Sequence, residues 1–287
     1  MLDCKLNKNQ INFFHTFGFI LFKGLFLDKI DDINNSFEEV WKLKTKTQKI
    51  NFTKIERLCI PQFIDLHNNL TNLLDDERII NIGESILGNN FNYMGSDGNY
   101  YNSNTSWHSD GWESNILHIK LAFYLDHLKH NNGCLKVLPG SHHIHDKYSK
   151  DLDISFKKRN SYLKKIGPEL PGISLETRPG DLICFNHNLK HSSYGGGKKR
   201  RMFTINLSQR YPEENLRDLK DYINEGSRFW IDRAYGDIMV NTASKKRMNY
   251  LVQVLENEGE LKYYSMLARK KMKKPAYIFD GRNILDK

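Results

Sequence analysis

Long apolar runs are what this 287-residue chain most obviously lacks. Its most apolar stretch, residues 17–27, is broken by Lys23 and falls short of the roughly 20 apolar residues that a membrane-spanning helix needs. Cysteine pairs are also missing. Cys4, Cys59, Cys134 and Cys184 are scattered and form no C-x-x-C, which argues against a disulfide scaffold and against a zinc knuckle. A reduced, cytoplasmic setting is the expectation. The opening Met1-Leu2-Asp3-Cys4-Lys5 shows no cleavable signal pattern, and no internal repeat is found.

What is present is a basic, moderately aromatic chain. The 43 Lys+Arg exceed the 34 Asp+Glu to give +9, with 39% hydrophobic and 12% aromatic residues. That is too rich in apolar residues for a disordered chain. The positive balance is compatible with nucleic acid or an anionic substrate. However, the basic residues cluster mainly outside the informative centre, so a solvated basic surface is the reading, and nucleic acid is not the expected partner. The densest run, 269–274, reads as a solvated helix face. The length suits one domain over 1–287: N-terminal helices and first strand in 1–90, a β core in 91–212, and a helical, basic extension in 213–287.

Residues 8–43 read as helix, strand and helix, with apolar residues at Ile33, Phe37, Val40 and Trp41 at helical spacing. Residues 65–87 also read as helical, stopped by Gly88-Asn89-Asn90. From about 91 the pattern becomes short alternating runs between Gly, Asn, Pro and Ser clusters, as in an all-β barrel or sandwich. Strands are expected over 117–126, 173–177, 181–186 and 200–210. Gly195-Gly196-Gly197 serves as a turn, and 142–168 forms a polar excursion.

The chemistry centres on Trp107-His108-Ser109-Asp110-Gly111. Residues i and i+2 of a strand share a face, so His108 and Asp110 can hold one metal together. His191 follows the strand that Pro179-Gly180-Asp181 opens. Two imidazoles and one carboxylate make the facial triad of non-haem Fe(II) oxygenases, which leaves positions for a bidentate cosubstrate and O2. Arg201, ten residues after His191, shares a face with Phe203, Ile205 and Leu207. An arginine on an inward apolar face needs an anionic partner, and a dicarboxylate supplies one. Arg200 falls on the opposite face and is expected in solvent. Ser193 shares the side of His191 and can donate to the same carboxylate.

These residues are embedded in stretches that resemble the phytanoyl-CoA dioxygenase family of Fe(II)/2-oxoglutarate-dependent oxygenases. The likeness is carried by FFHTFGFILFKGLF (13–26), by 105–142 with GCLKVLPGSH at its end, and by 179–207. It covers roughly residues 10–210. The resemblance implies a mainly β fold with flanking helices, a double-stranded β-helix (jelly roll, cupin-like). It also implies iron on His108, Asp110 and His191, and 2-oxoglutarate held by Arg201 and Ser193. The implied reaction hydroxylates an unactivated C–H bond, consuming O2 and releasing succinate and CO2; the polar, tyrosine-bearing loop 95–106 fits a small polar or anionic molecule as substrate better than a fatty acyl chain. Asp110 favours hydroxylation or desaturation over halogenation, because halogenating relatives replace this carboxylate with a small residue. The family's His-Gly-Ser is His191-Ser192-Ser193 here, with Ser192 expected to point outward.

Other residues keep two readings. If the even face of 117–126 lines the barrel, Lys120 and Tyr124 contact cosubstrate or substrate; if it faces solvent, they have no special role. Asn99, Tyr101, Asn102 and Trp112 are candidate substrate contacts. His187 is a lesser alternative to His191, and His142, His143 and His145 read as turn or mouth residues. A nucleic-acid or protein demethylase with the same iron centre and a non-oxygenase cupin-like metal protein stand as alternatives, with Zn(II) hydrolysis behind them. The assembly expected is a monomer or homodimer with no membrane partner.

Overall fold

The computed structural model describes residues 5–46, 57–111, 115–158, 161–196, 199–229 and 231–271. Trp112, Gly197 and the basic positions 272–274 therefore lie outside the described residues. The expected β core is present as two antiparallel sheets. The larger sheet runs in the order β1 (Phe19–Phe22), β8 (Leu182–Asn186), β5 (His118–Tyr124), β10 (Arg200–Ser208), β3 (Asn92–Tyr101), β2 (Arg57–Pro61). The smaller runs β4 (Thr105–His108), β9 (His191–Ser193), β6 (Leu135–Val137), β7 (Ile173–Leu175). The two sheets facing each other form the double-stranded β-helix.

Helices cover the outer face of the larger sheet. Helix α1 (Lys8–Phe17) starts at a capping box of Asn7 with Gln10 and stops at Gly18, whose φ of 87° is the left-handed cap. A Cβ there would meet His142 Nδ1 at 2.6 Å, so the turn is closed to larger residues. Helix α2 (Ile30–Thr45) buries Ile33, Phe37, Val40 and Trp41, the spacing seen in the sequence. The expected helix over 65–87 is broken into short turns and α3 (Asn68–Thr71), followed by α4 (Glu77–Leu87). Asp76 caps α4 by accepting from the Arg78 amide. The excursion after β6 holds α5 (Lys147–Lys157) and α6 (Tyr162–Lys165). The C-terminal part adds α7 (Leu216–Glu225), α8 (Asp237–Asn241), α9 (Lys245–Asn257) and α10 (Leu261–Lys271).

Three apolar clusters result among the described residues, the smallest being Trp107, Leu138, Leu152 and Leu170. The outer one lies between the larger sheet and the helices and takes Ile119, Leu121 and Phe123 of β5 with Phe203, Ile205 and Leu207 of β10. Phe123 and Phe203 stack with centroids 4.6 Å apart. The inner core lies between the sheets and includes Tyr124, Phe185, Met202, Leu135 and Val137. Beside it the sheets part around a chamber of mixed lining, which Tyr124, Leu135, Phe185 and Met202 of this core also border. No helix among the described residues is long and apolar enough to cross a membrane.

Candidate active site

His108 and His191 are cross-strand partners on β4 and β9, with ring centroids 4.2 Å apart. Each ring directs Nδ1 at the carbonyl two residues earlier: His108 at Ser106 O (2.8 Å) and His191 at Leu189 O (2.8 Å). A carbonyl only accepts, so Nδ1 carries the proton and Nε2 keeps its lone pair. Both Nε2 atoms face Asp110, His108 at 3.6 Å from Oδ1 and His191 at 3.4 Å from Oδ2. The three ligand atoms lie within 4.8 Å of one another, the sole such group of three found among the described residues. Fixing ring orientation through the second nitrogen is how proteins prepare imidazoles for a metal.

The backbone around Asp110 is clamped. The amides of Asp110 and Gly111 both donate to His187 O, at 2.9 and 2.8 Å. A Cβ on Gly111 would lie 2.1 Å from Asn188 Oδ1, so this position suits only glycine without a shift of that side chain. Lys120 Nζ sits 2.6 Å from Asp110 Oδ2. Burial pushes the Asp110 carboxyl up, but Lys120, His191 and His108 outweigh it and hold it well below the usual carboxylate range. Burial lowers His191 to about 3 against the opposing pull of Asp110, which keeps the ring neutral and able to donate its lone pair to a metal. His187 instead directs Nε2 at Asn206 Oδ1 (3.2 Å) and stays outside the triad.

These groups line one chamber of about 790 Å³. The even face of β5 turns into it, so Lys120 and Tyr124 are lining residues. The even face of β10 follows: Arg200, Met202, Thr204 and Asn206. This reverses the expectation for the two arginines. Arg201 points away, onto the helical layer. Its guanidinium binds Asp126 (Nη2–Oδ1 2.8 Å) and Glu38 of α2 (Nη1–Oε1 2.9 Å), and its backbone amide also donates to Asp126. The reason is that Phe203, Ile205 and Leu207 face helices, so an apolar face here marks the outside of the β-helix.

Arg200, expected in solvent, is 4% exposed. Its Nη1 donates to Gly133 O at 2.6 Å and to Ser193 Oγ, and its guanidinium lies over the Tyr101 ring at 5.0 Å. Nε has no partner, and no carboxylate of the described residues pairs with Arg200. Ser193 also lines the chamber, with Oγ donating to Gly133 O at 2.9 Å. An arginine buried against a hydroxyl and lacking a carboxylate is equipped for an incoming one.

Of the candidate substrate contacts, Tyr101 lines the chamber. Asn99 is fully buried behind the wall, bonded to Arg57 and Asp97. Asn102 accepts from the Lys199 amide at 2.6 Å and shapes the turn into β10. His142 and His143 direct Nε2 at His15 O and Thr16 O, and with His145 they line a separate cavity of about 420 Å³. Two contributions were missed. One is β2, with Arg57 and Cys59 facing in; its short alternation ending at Pro61 is an edge-strand signal. The other is the C-terminal wall, where Tyr222, Ile223, Phe229 and Tyr235 close the chamber.

Known proteins resemble this chain in sequence and in fold. The family profile described as Phytanoyl-CoA dioxygenase (PhyH) matches residues 14–202. The 2-aminoethylphosphonate dioxygenase of Uncultured bacterium HF130_AEPn_1 is 25% identical over 194 residues, 61% of this chain and 71% of that protein. Among solved structures, HygX from Streptomyces hygroscopicus, with nickel and 2-oxoglutarate bound, superposes with a TM-score of 0.58 at 16% identity, covering 72% of this chain and 88% of HygX. The non-heme alpha ketoglutarate dependent carbocyclase SnoK from nogalamycin biosynthesis gives 0.55 at 18%, covering 71% and 84%. Both likenesses are of fold.

Proposed function

The chain belongs to the phytanoyl-CoA dioxygenase family of Fe(II)/2-oxoglutarate-dependent oxygenases, and we propose that it hydroxylates an unactivated C–H bond of a small polar molecule, with iron on His108, Asp110 and His191. The observation that carries this reading is the convergence of two Nε2 atoms and one carboxylate whose orientations are fixed from behind. The donor set, two neutral imidazoles and one carboxylate, suits Fe(II) and leaves coordination positions free. Bound iron and 2-oxoglutarate supply the oxidising power, using O2 and releasing succinate and CO2.

The protein's own residues do the rest. Lys120 holds one Asp110 oxygen and sets the carboxylate's orientation. Arg200, with Ser193, takes the distal carboxylate of 2-oxoglutarate, the role first assigned to Arg201. Tyr101 stacks on that guanidinium and limits its movement. Tyr222 and Phe229 narrow the access of water from the C-terminal side. A small polar substrate is supported by the mixed lining and by the relative that acts on 2-aminoethylphosphonate. Cys59, Cys134 and Cys184 are buried and unpaired, which supports a reduced, cytoplasmic setting.

Anaerobic titration of the metal-free protein with Fe(II) and 2-oxoglutarate tests this reading. A visible metal-to-ligand charge-transfer band is expected, and His191→Ala abolishes it. Metal binding without any band in the parent protein would contradict the oxygenase reading.

A further inference from the structure

The chamber holds a second charged group that neither the metal triad nor Arg200 uses. Arg57 of β2 and Asp97 of β3 both line it, with Arg57 Nη2 3.5 Å from Asp97 Oδ2. At 3.5 Å this ion pair is looser than the roughly 2.7–2.9 Å of a closed guanidinium–carboxylate pair. Neutral groups hold each in place from behind. Asn99 accepts from Arg57 Nε at 2.8 Å and donates its amide to Asp97, and Thr204 Oγ1 donates to Asp97 as well. Both side chains remain open to the chamber, 37% and 24% exposed.

The register places this pair beside the metal triad. Asp97 lies opposite Thr204 on β10, and Thr204 lies opposite Ala122, one inward step from Lys120 on β5. Asp97 therefore stands two strands from Lys120 on the same inner wall, and Asp97, Lys120 and Asp110 all line the one chamber. An isolated anion would meet repulsion from Asp97, and an isolated cation would meet repulsion from Arg57. A molecule carrying both charges can satisfy the two at once.

Resting on the proposed function above, we propose that the substrate is a small zwitterion, an amine and an acid group joined by a short carbon chain, with its acid on Arg57 and its ammonium on Asp97. The carbon chain between them is then the part presented toward the triad. Asn99 is a positioning residue in this arrangement, since it orients both charges without touching the ligand.

The test uses the anaerobic Fe(II)/2-oxoglutarate complex of the full chain. The probes are 2-aminoethylphosphonate, β-alanine and taurine, set against ethylphosphonate, propionate and ethylamine. Binding is read as a perturbation of the visible band, and turnover as succinate released in air. At least one zwitterion is expected to bind about tenfold or more tightly than its amine-free or acid-free analogues. Asp97→Asn should erase the preference for the amine and Arg57→Gln the preference for the acid, both with the unperturbed band retained. Equal binding of charged-at-one-end probes would overturn the proposal, as would no response to any zwitterion in a protein that shows the band. Loss of the band in Asp97→Asn alone would overturn it too, by making the pair part of the cosubstrate site. Absence of the band in the parent would instead contradict the reading on which the proposal rests.

Discussion

The two faces of the larger sheet differ in what they bury. On the outer face, β5 and β10 present Ile119, Leu121, Phe123, Phe203, Ile205 and Leu207, all packed under helices. On the inner face the same strands present Lys120, Tyr124, Arg200, Thr204 and Asn206. Adjacent residues in one strand therefore serve different ends: Arg201 ties the sheet to α2, and Arg200 faces the chamber. In a β-helix wrapped by helices, the more apolar alternation marks the structural side and the mixed alternation marks the chemical side.

Breaking the outer face should cost the most stability. Phe203→Ala removes a fully buried ring stacked on Phe123 and is expected to lower unfolding free energy by about 3–5 kcal/mol in denaturant titration. The affinity of the remaining folded protein for 2-oxoglutarate should stay unchanged.

Asp65 is the polar exception on that outer side and sharpens the contrast. Its carboxylate accepts from Tyr93 Oη (2.7 Å) and the Gly236 amide (2.9 Å), yet burial outweighs these bonds and pushes it up to about 7. The folded state then holds a proton that the unfolded state releases above 3.8. Its contribution favours folding at low pH and is lost as pH rises from 3.8 to about 7. Asp65→Asn should remove that slope from a pH series of melting curves, whatever its absolute stability.

A smaller effect is expected at Gly98, on the outer face of β3. A Cβ there would lie 2.1 Å from the Phe63 ring, so Gly98→Ala should destabilise by about 1–3 kcal/mol through overpacking. Smallest is Arg201→Ala. Its ion pairs with Asp126 and Glu38 are partly exposed and screened, so a loss of about 1 kcal/mol is expected in the same denaturant titration.

Much of this was legible in the sequence. His108, Asp110 and His191 were legible as one metal-binding set, but not the way they meet: β4 ends at His108, Asp110 lies in the bend after it with its amide on His187 O, and His191 opens β9. The alternation in 117–126 and 200–210 located β5 and β10. Which face turned inward was not legible, since both faces are covered and apolar content alone reads as interior. The polar members of the even faces, Lys120, Thr204 and Asn206, held the missing signal. The Arg57–Asp97 neighbourhood depends on pairing of β2 with β3 across 40 residues, which no local pattern specifies. The C-terminal wall was hidden for the same reason: α7 is recognisable as amphipathic, but its docking over the chamber is a long-range event.

The most direct test of the inner and outer assignment is a paired titration of 2-oxoglutarate into Fe(II)-loaded Arg200→Ala and Arg201→Ala proteins without O2. Loss of the buried guanidinium should raise the 2-oxoglutarate requirement of Arg200→Ala by roughly 30-fold or more. Arg201→Ala should match the parent within about twofold, a change that carries little free energy. A large loss in Arg201→Ala with parent-like binding in Arg200→Ala would contradict the account.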